Sequence, residues 1–191
     1  YPRPPAGGRA GTVEVALMVE VLSEVEAQPA SRPNMTHALR SETEFLAPSI
    51  WERIEAWVSH RWAERTVTWV VQGPGTWEPR LKPASVDTAE VWDGADWQAV
   101  TLQAGPVGYE LDAKTYRVTA TVGSTDDPPH AVDEAFRRLS EYIVDDSYIG
   151  RVATSGSRDL GDLSINSERP AAWLAKALHY SGAADILRRW R

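Results

Sequence analysis

Two pairs of neighbouring aspartates, Asp126–Asp127 and Asp145–Asp146, are the side chains of this sequence best suited to chemistry. Paired carboxylates hold divalent cations or transfer protons. Each pair, however, flanks a segment with helical spacing. The first pair suits the positive end of that helix, and the second lies at the unfavourable end. We therefore favour salt bridges within the chain or between subunits, and a cation or acid–base site is the alternative.

Other signatures of catalysis are missing. No histidines stand at the spacing of a metal-binding pair, and the sequence has no cysteine. The segment Thr154-Ser-Gly-Ser-Arg158 does not match the Gly-x-Ser-x-Gly nucleophile motif. The turns Gly73–Gly75 and Gly105–Gly108 contain prolines, which lack the N–H that a phosphate-binding loop needs. We expect no catalytic residue, no cofactor and no metal ion.

The sequence contains nine tryptophans, a high number for 191 residues. Four of them lie in segments with the alternating pattern of strands: Trp69, Trp77, Trp92 and Trp97. Such a row of indole rings could form a platform that binds a glycan. The simpler interpretation is a small sheet whose tryptophans fill the core and its interfaces.

The C-terminal segment combines apolar and cationic residues that are costly to leave in water. Tryptophan and arginine are also the side chains most enriched at binding hot spots. We predict that this segment docks on another protein. Its candidate contact residues are Trp173, Leu174, Leu178, Ile186, Leu187, Arg188, Arg189, Trp190 and Arg191.

The net charge of −7 argues against a dedicated nucleic-acid-binding protein. The charge is uneven: residues 126–146 contain seven acids and two arginines, whereas residues 169–191 contain five Lys or Arg and one Asp. An acidic surface on one copy could meet the basic C-terminal segment of a neighbour. The candidate inter-subunit residues are Asp133, Glu134, Arg137, Arg138, Asp145 and Asp146.

The elements that would position these residues suggest an α+β protein. We predict a helical bundle body with a small antiparallel β unit inserted at about 66–122, and an extended C-terminal arm that ends in a short helix. Helical spacing indicates helices at 49–63 and 129–145. The predicted regions are an N-terminal arm over 1–40, the body over 41–146 and the arm over 147–191. Residues 12–27 fit a helix or a strand.

The order of these motifs resembles a known family. A helix carries Arg53-Ile-Glu-Ala-Trp57, the strand Val67-Thr-Trp69 follows, and a later helix begins after a Pro-Pro break. The chain then continues through Leu160-Gly-Asp-Leu-Ser164 to Ser181-Gly-Ala-Ala-Asp-Ile-Leu-Arg-Arg-Trp-Arg191. Over residues 40–191 the chain resembles the head–tail adaptor (connector) proteins of long-tailed bacteriophages and gene transfer agents.

The resemblance implies a structural virion protein in the neck, made in the cytoplasm of the bacterial host. Such adaptors form a homo-oligomeric ring, typically of twelve copies, that binds the portal protein and continues the DNA channel. A stopper or terminator protein would bind on the tail side, and DNA would pass without sequence-specific contacts. We expect no enzyme activity and no membrane association. The alternatives are a tail terminator or stopper, and a Trp-rich glycan-binding module.

Overall fold

The computed structural model describes residues 19–33, 46–144, 155–160, 163–168 and 174–191. The candidate residues Asp145, Asp146 and Trp173 lie outside these ranges. The strands are β1 (Glu20–Glu26), β2 (Arg65–Gln72), β3 (Gly75–Trp77), β4 (Ala84–Trp92), β5 (Trp97–Ala99), β6 (Gln103–Ala104), β7 (Tyr109–Leu111), β8 (Thr115–Val122), β9 (Ser155–Leu160) and β10 (Leu163–Glu168). The helices are α1 (Ala47–Trp57), α2 (His130–Val144), α3 (Ala177–Tyr180), α4 (Ala183–Ile186) and a 3-10 helix over Leu187–Trp190.

A five-stranded sheet in the order β1-β2-β8-β4-β5 is the largest element of the described chain. Strands β2 and β8 follow the two-residue period of a sheet, because every second side chain is buried along each of them. Strands β3, β7 and β6 form a smaller sheet. Strands β9 and β10 form an antiparallel hairpin in which Leu160 pairs with Leu163.

The prediction of a helical bundle body with a small inserted sheet is therefore wrong, although the chain does mix helices and strands. Ten strands against two helices longer than four residues make the sheets the main structure of the described residues. The segment 20–26, which fitted either a helix or a strand, is the strand β1. The predicted extended arm also contains the hairpin β9–β10.

The two predicted long helices are present, with one corrected boundary. Helix α1 ends at Trp57 and not at residue 63, because Val58 has extended backbone angles. The Arg61 guanidinium donates hydrogen bonds to the carbonyl oxygens of Glu55 at 2.6 Å and Val58 at 3.2 Å. These bonds satisfy carbonyl groups that the end of a helix leaves without partners.

The described residues divide into two compact units. One unit contains the strand segment Trp69–Glu78, the chain from Thr88 to Val118 and the first residues of β1. The other contains Val25–Thr68, Pro79–Asp87 and Thr119–Arg191, and it holds the helices. In this second unit the helices share one apolar core, in which the rings of Trp51 and Phe136 lie 5.1 Å apart.

Candidate interaction surfaces

The C-terminal segment 174–191 is packed into the core of the helical unit. Ala177, Ala183 and Leu187 are buried and belong to the same apolar cluster as α1 and α2. Gly182 separates α3 from α4 with φ +76°, a left-handed conformation that glycine adopts without strain. Three short helices thus stand where the sequence predicts a single short helix at the end of the arm.

Polar and aromatic contacts fix this segment at both ends. Arg53 of α1 donates a hydrogen bond of 3.1 Å to the Leu174 carbonyl oxygen. At the other end the Ser59 amide donates to the Trp190 carbonyl oxygen at 3.3 Å. The Trp190 ring also meets the edge of Trp62, with ring centres 6.3 Å apart. These contacts hold residues 174–191 against the core.

The predicted docking residues separate into a buried part and a surface part. Leu187 is fully buried within its own chain, so in this conformation it contacts no other molecule. Leu178, Ile186 and Trp190 are half-buried and pack against the core. The exposed members are Leu174, Arg188, Arg189 and Arg191.

The two arginines nearest the end of this segment lie against half-buried indole rings. The Arg189 guanidinium lies 4.5 Å from the ring centre of Trp190, and that of Arg191 lies 4.5 Å from the ring centre of Trp57. Neither arginine forms an ion pair with a carboxylate of the described residues. Arg188 pairs with Asp185 at 2.7 Å, but both side chains are at least 75% exposed, so the pair is weak. This surface is cationic in a chain whose net charge is −7.

A groove of about 210 Å³ opens beside these arginines. Trp57 lines the groove, and its indole Nε1 is buried with no hydrogen-bond acceptor among the described residues. The His179 ring meets the Trp57 ring edge-on, with centres 5.0 Å apart. The groove therefore offers the guanidinium groups of Arg188 and Arg191 to an anionic group. It is lined by Trp57, His179, Gly182, Ala184, Asp185, Arg188 and Arg191.

The candidate inter-subunit charges on α2 largely pair with one another. The Glu134 carboxylate accepts hydrogen bonds from Arg137 and from Arg138, and these arginines lower the pKa of Glu134 to about 2. Arg137 also bonds to Glu141 at 2.7 Å, and its two carboxylate partners raise its pKa. Asp133 is buried. The exposed charges of α2 thus have partners without a neighbouring subunit.

The same unit contains a buried network of ion pairs that was not predicted from the sequence. Glu55 of α1 bonds to Arg65 through both oxygens, at 2.8 and 2.9 Å, and to Arg32 at 2.7 Å. Glu26 of β1 bonds to Arg61 and Arg65, and these arginines outweigh burial and lower its pKa. The burial of Arg65 could have been suspected from the sequence, because Arg65 falls in the alternation of β2 that places every second side chain in the interior.

The four tryptophans of the proposed glycan platform are not equivalent. Trp69 and Trp77 are buried, and the Trp69 Nε1 donates to Glu24 at 2.9 Å. Trp92 is 40% exposed and pairs across β4 and β5 with the half-buried Trp97, with ring centres 5.3 Å apart. At most these two rings are available to a sugar.

A cavity of about 400 Å³ in the helical unit has an acidic rim. Glu64, Asp126 and Asp127 line it and form no ion pair with the described residues. Its one arginine, Arg32, is bound to Glu52 and Glu55. Ser124 shapes the turn 124–127 by donating to the Asp126 carboxylate and accepting from the Asp126 amide.

Among the described residues, no group of three or more histidines or carboxylates is arranged to hold a metal ion. In the same part of the chain no helix has the length and apolar character needed to cross a bilayer. No protein-family model, curated protein or solved structure matches the chain.

Proposed function

We propose that this protein is a structural virion component, a head–tail adaptor that forms a ring between the portal and the tail. The observation that carries the proposal is the fixed cationic and aromatic surface of residues 174–191. Arg188, Arg189 and Arg191 are exposed there, and Trp190 holds its place through main-chain and ring contacts. The motif order that resembles the adaptor family ends in this same segment.

A pre-formed surface suits a docking role for an energetic reason. A segment that is ordered before binding loses little conformational entropy on association. Its exposed arginines and half-buried Trp190 are of the side-chain types that contribute most at protein interfaces. In a ring, each copy would contribute one such surface, so modest individual affinities would combine into stable attachment.

The charge of the chain is compatible with a DNA channel. DNA binding without sequence preference depends on Lys and Arg contacts to phosphates, and an acidic protein disfavours it. A ring of copies that each carry −7 would repel the phosphates and let the genome pass. We propose twelve copies in the virion neck, a stopper or terminator on the tail side, and synthesis in the bacterial cytoplasm, as the resemblance implies.

The experiment that tests the proposal is a binding measurement with the cognate portal protein. Deleting residues 167–191 would remove Ala177, Ala183 and Leu187 from the core and would confound docking with unfolding. We therefore choose Arg189→Glu, a surface substitution at an exposed residue without an ion pair among the described residues. Lys114→Glu, at an exposed turn, makes the same change of net charge and is the matched control.

The proposal predicts that wild type and Lys114→Glu bind the portal equally and that Arg189→Glu binds at least about tenfold more weakly, which corresponds to about 1.4 kcal/mol per site. A wild-type protein that binds a stopper or tail tube but not the portal would favour the alternative of a terminator or stopper. Wild-type protein that binds none of these partners would contradict a neck function.

A further inference from the structure

We propose that the groove between α1 and the C-terminal helices receives the acidic turn 124–127 of a second copy of this chain. The inference rests on the proposed ring, and it names the contact between neighbouring subunits. It divides the C-terminal surface into two parts. Arg188 and Arg191 face the neighbouring copy, whereas Arg189 and Trp190 are left for the portal.

The chemistry of the groove calls for a carboxylate. Arg191 has no ion pair among the described residues, and Arg188 has only an exposed partner that it can exchange. Asp185 lines the same groove and pairs with Arg188 in solvent, where such a pair is weak. Two arginines against one carboxylate leave the groove positively charged, which favours an acidic side chain from another copy.

The turn 124–127 supplies that side chain. Asp126 and Asp127 are both exposed, and neither forms an ion pair with the described residues. Ser124 already fixes the turn through two hydrogen bonds of 2.9 and 3.0 Å, so binding orders little further chain. Glu64 on the same cavity rim adds negative charge. The exposed acids and the exposed cations of this unit are therefore complementary between copies.

In the proposed ring the contact joins two different surfaces. A groove on one copy and a turn on the next make a head-to-tail interface, which repeats until rotation closes it. A two-fold dimer would instead form the groove–turn contact twice, reciprocally, and stop at two copies. Cross-linking can distinguish the two arrangements, because only the ring gives trimers and larger species.

The test uses cysteine pairs, which is convenient because the chain has no cysteine of its own. Thr125→Cys places a thiol on the acidic turn and Ala184→Cys places one in the groove, and both substitutions keep every charge. Full-length protein that carries both is treated with a bifunctional thiol reagent, alone and on the portal. The matched control replaces Ala184→Cys by Ala95→Cys, an exposed position in the β4–β5 loop.

The inference predicts a ladder of dimers, trimers and larger species for the Thr125/Ala184 pair, and at least tenfold fewer trimers and larger species for the control pair. A charge exchange then tests the ion pairs. Asp127→Arg on the Thr125→Cys copy should abolish cross-linking to an Ala184→Cys copy. Arg191→Asp on the second copy should restore it.

Two results would overturn the inference. One is a ladder equal to that of the control pair, and the other is cross-linking that Asp127→Arg leaves unchanged. If electron microscopy then finds a ring on the portal, the subunit contact is wrong and the adaptor function stands. If the Thr125→Cys/Ala184→Cys protein does not cross-link and the wild type does not associate with the portal, both proposals fail.

Discussion

At the level of single residues, Leu187 anchors the C-terminal segment to the core. Its side chain has no exposed surface and lies in the cluster that α1 and α2 form. The same short segment presents Arg188 and Arg189 to solvent. Neighbouring residues of one sequence motif thus have different roles: Leu187 packs in the core, and the two arginines are available to another molecule.

Replacing Leu187 by Ala should lower the free energy of unfolding by about 2–5 kcal/mol, because truncating a buried leucine leaves a cavity. Leu174→Ala should change it by less than about 0.5 kcal/mol, since Leu174 is 41% exposed. Urea denaturation followed by Trp fluorescence measures both. Equal effects of the two substitutions would show that Leu187 is not part of the core.

Glu134 should titrate far below an ordinary glutamate. Arg137 and Arg138 hold its pKa at about 2 instead of 4.5. A lowered carboxylate pKa stabilises the fold above the pKa of the unfolded chain, and the stabilisation is lost as the pH falls towards 2. Because Glu134 is partly exposed, we expect its ion pairs to contribute less than about 1 kcal/mol to the free energy of unfolding.

Carboxyl-carbon NMR of Glu134 measures this directly, with a midpoint near pH 2 expected. The difference in unfolding free energy between wild type and Glu134→Gln should shrink between about pH 4.5 and 2. A titration midpoint of Glu134 near pH 4.5 would contradict its pairing with Arg137 and Arg138. A difference in unfolding free energy that grows as the pH falls would contradict it as well.

The ion network around Glu55 ties three elements together. It joins α1 to the beginning of β2 through Arg65 and, through Glu26, to the end of β1. Buried charges of this kind are stable only as long as each has its partner. The network thus holds Glu26, at the end of β1, to α1 and to the beginning of β2.

Glu55→Ala should lower the free energy of unfolding by about 3–5 kcal/mol, because it leaves Arg65 buried without its main partner. The control is Glu52→Ala on the same helix, where the side chain is 57% exposed and the expected loss is below about 0.5 kcal/mol. Chemical denaturation of both variants at pH 7 gives the comparison. A small loss for Glu55→Ala would mean that water reaches the network.

Helices α1 and α2 and strands β2 and β8 could be predicted, because their periods of 3.6 and two residues are local features of the sequence. The five-stranded sheet could not be predicted, because β1 lies beside β2 only through pairing between segments that are far apart in the sequence. The α1 boundary also escaped prediction, since Arg61 ends the helix through bonds to carbonyl groups.

The candidate surface was predicted only in part. The cationic residues Arg188, Arg189 and Arg191 stand out in the sequence, and the structure places them at the surface. The burial of Leu187 and the groove at Trp57 depend on how short helices pack, and no local period reveals this packing. The ion network was missed because charged residues are ordinarily exposed.

At the level of the whole molecule, the proposed adaptor works as part of an assembly. The cationic C-terminal surface should make portal binding depend on salt, since exposed charge pairs are screened. Affinity for the portal should fall when NaCl is raised from 50 to about 500 mM. Arg189→Glu should show a smaller salt dependence than Lys114→Glu. If salt changes the affinity of neither variant, the arginines do not contribute to the interface with the portal.

Electron microscopy of the full-length protein mixed with its cognate portal is the most direct test of the proposed adaptor function. We expect a ring of copies coaxial with the portal, with an open channel and with density from residues 174–191 at the portal side. Arg189→Glu should reduce the fraction of portals that carry the ring, and Lys114→Glu should not. Portals that remain bare in the presence of excess wild-type protein would contradict the adaptor function.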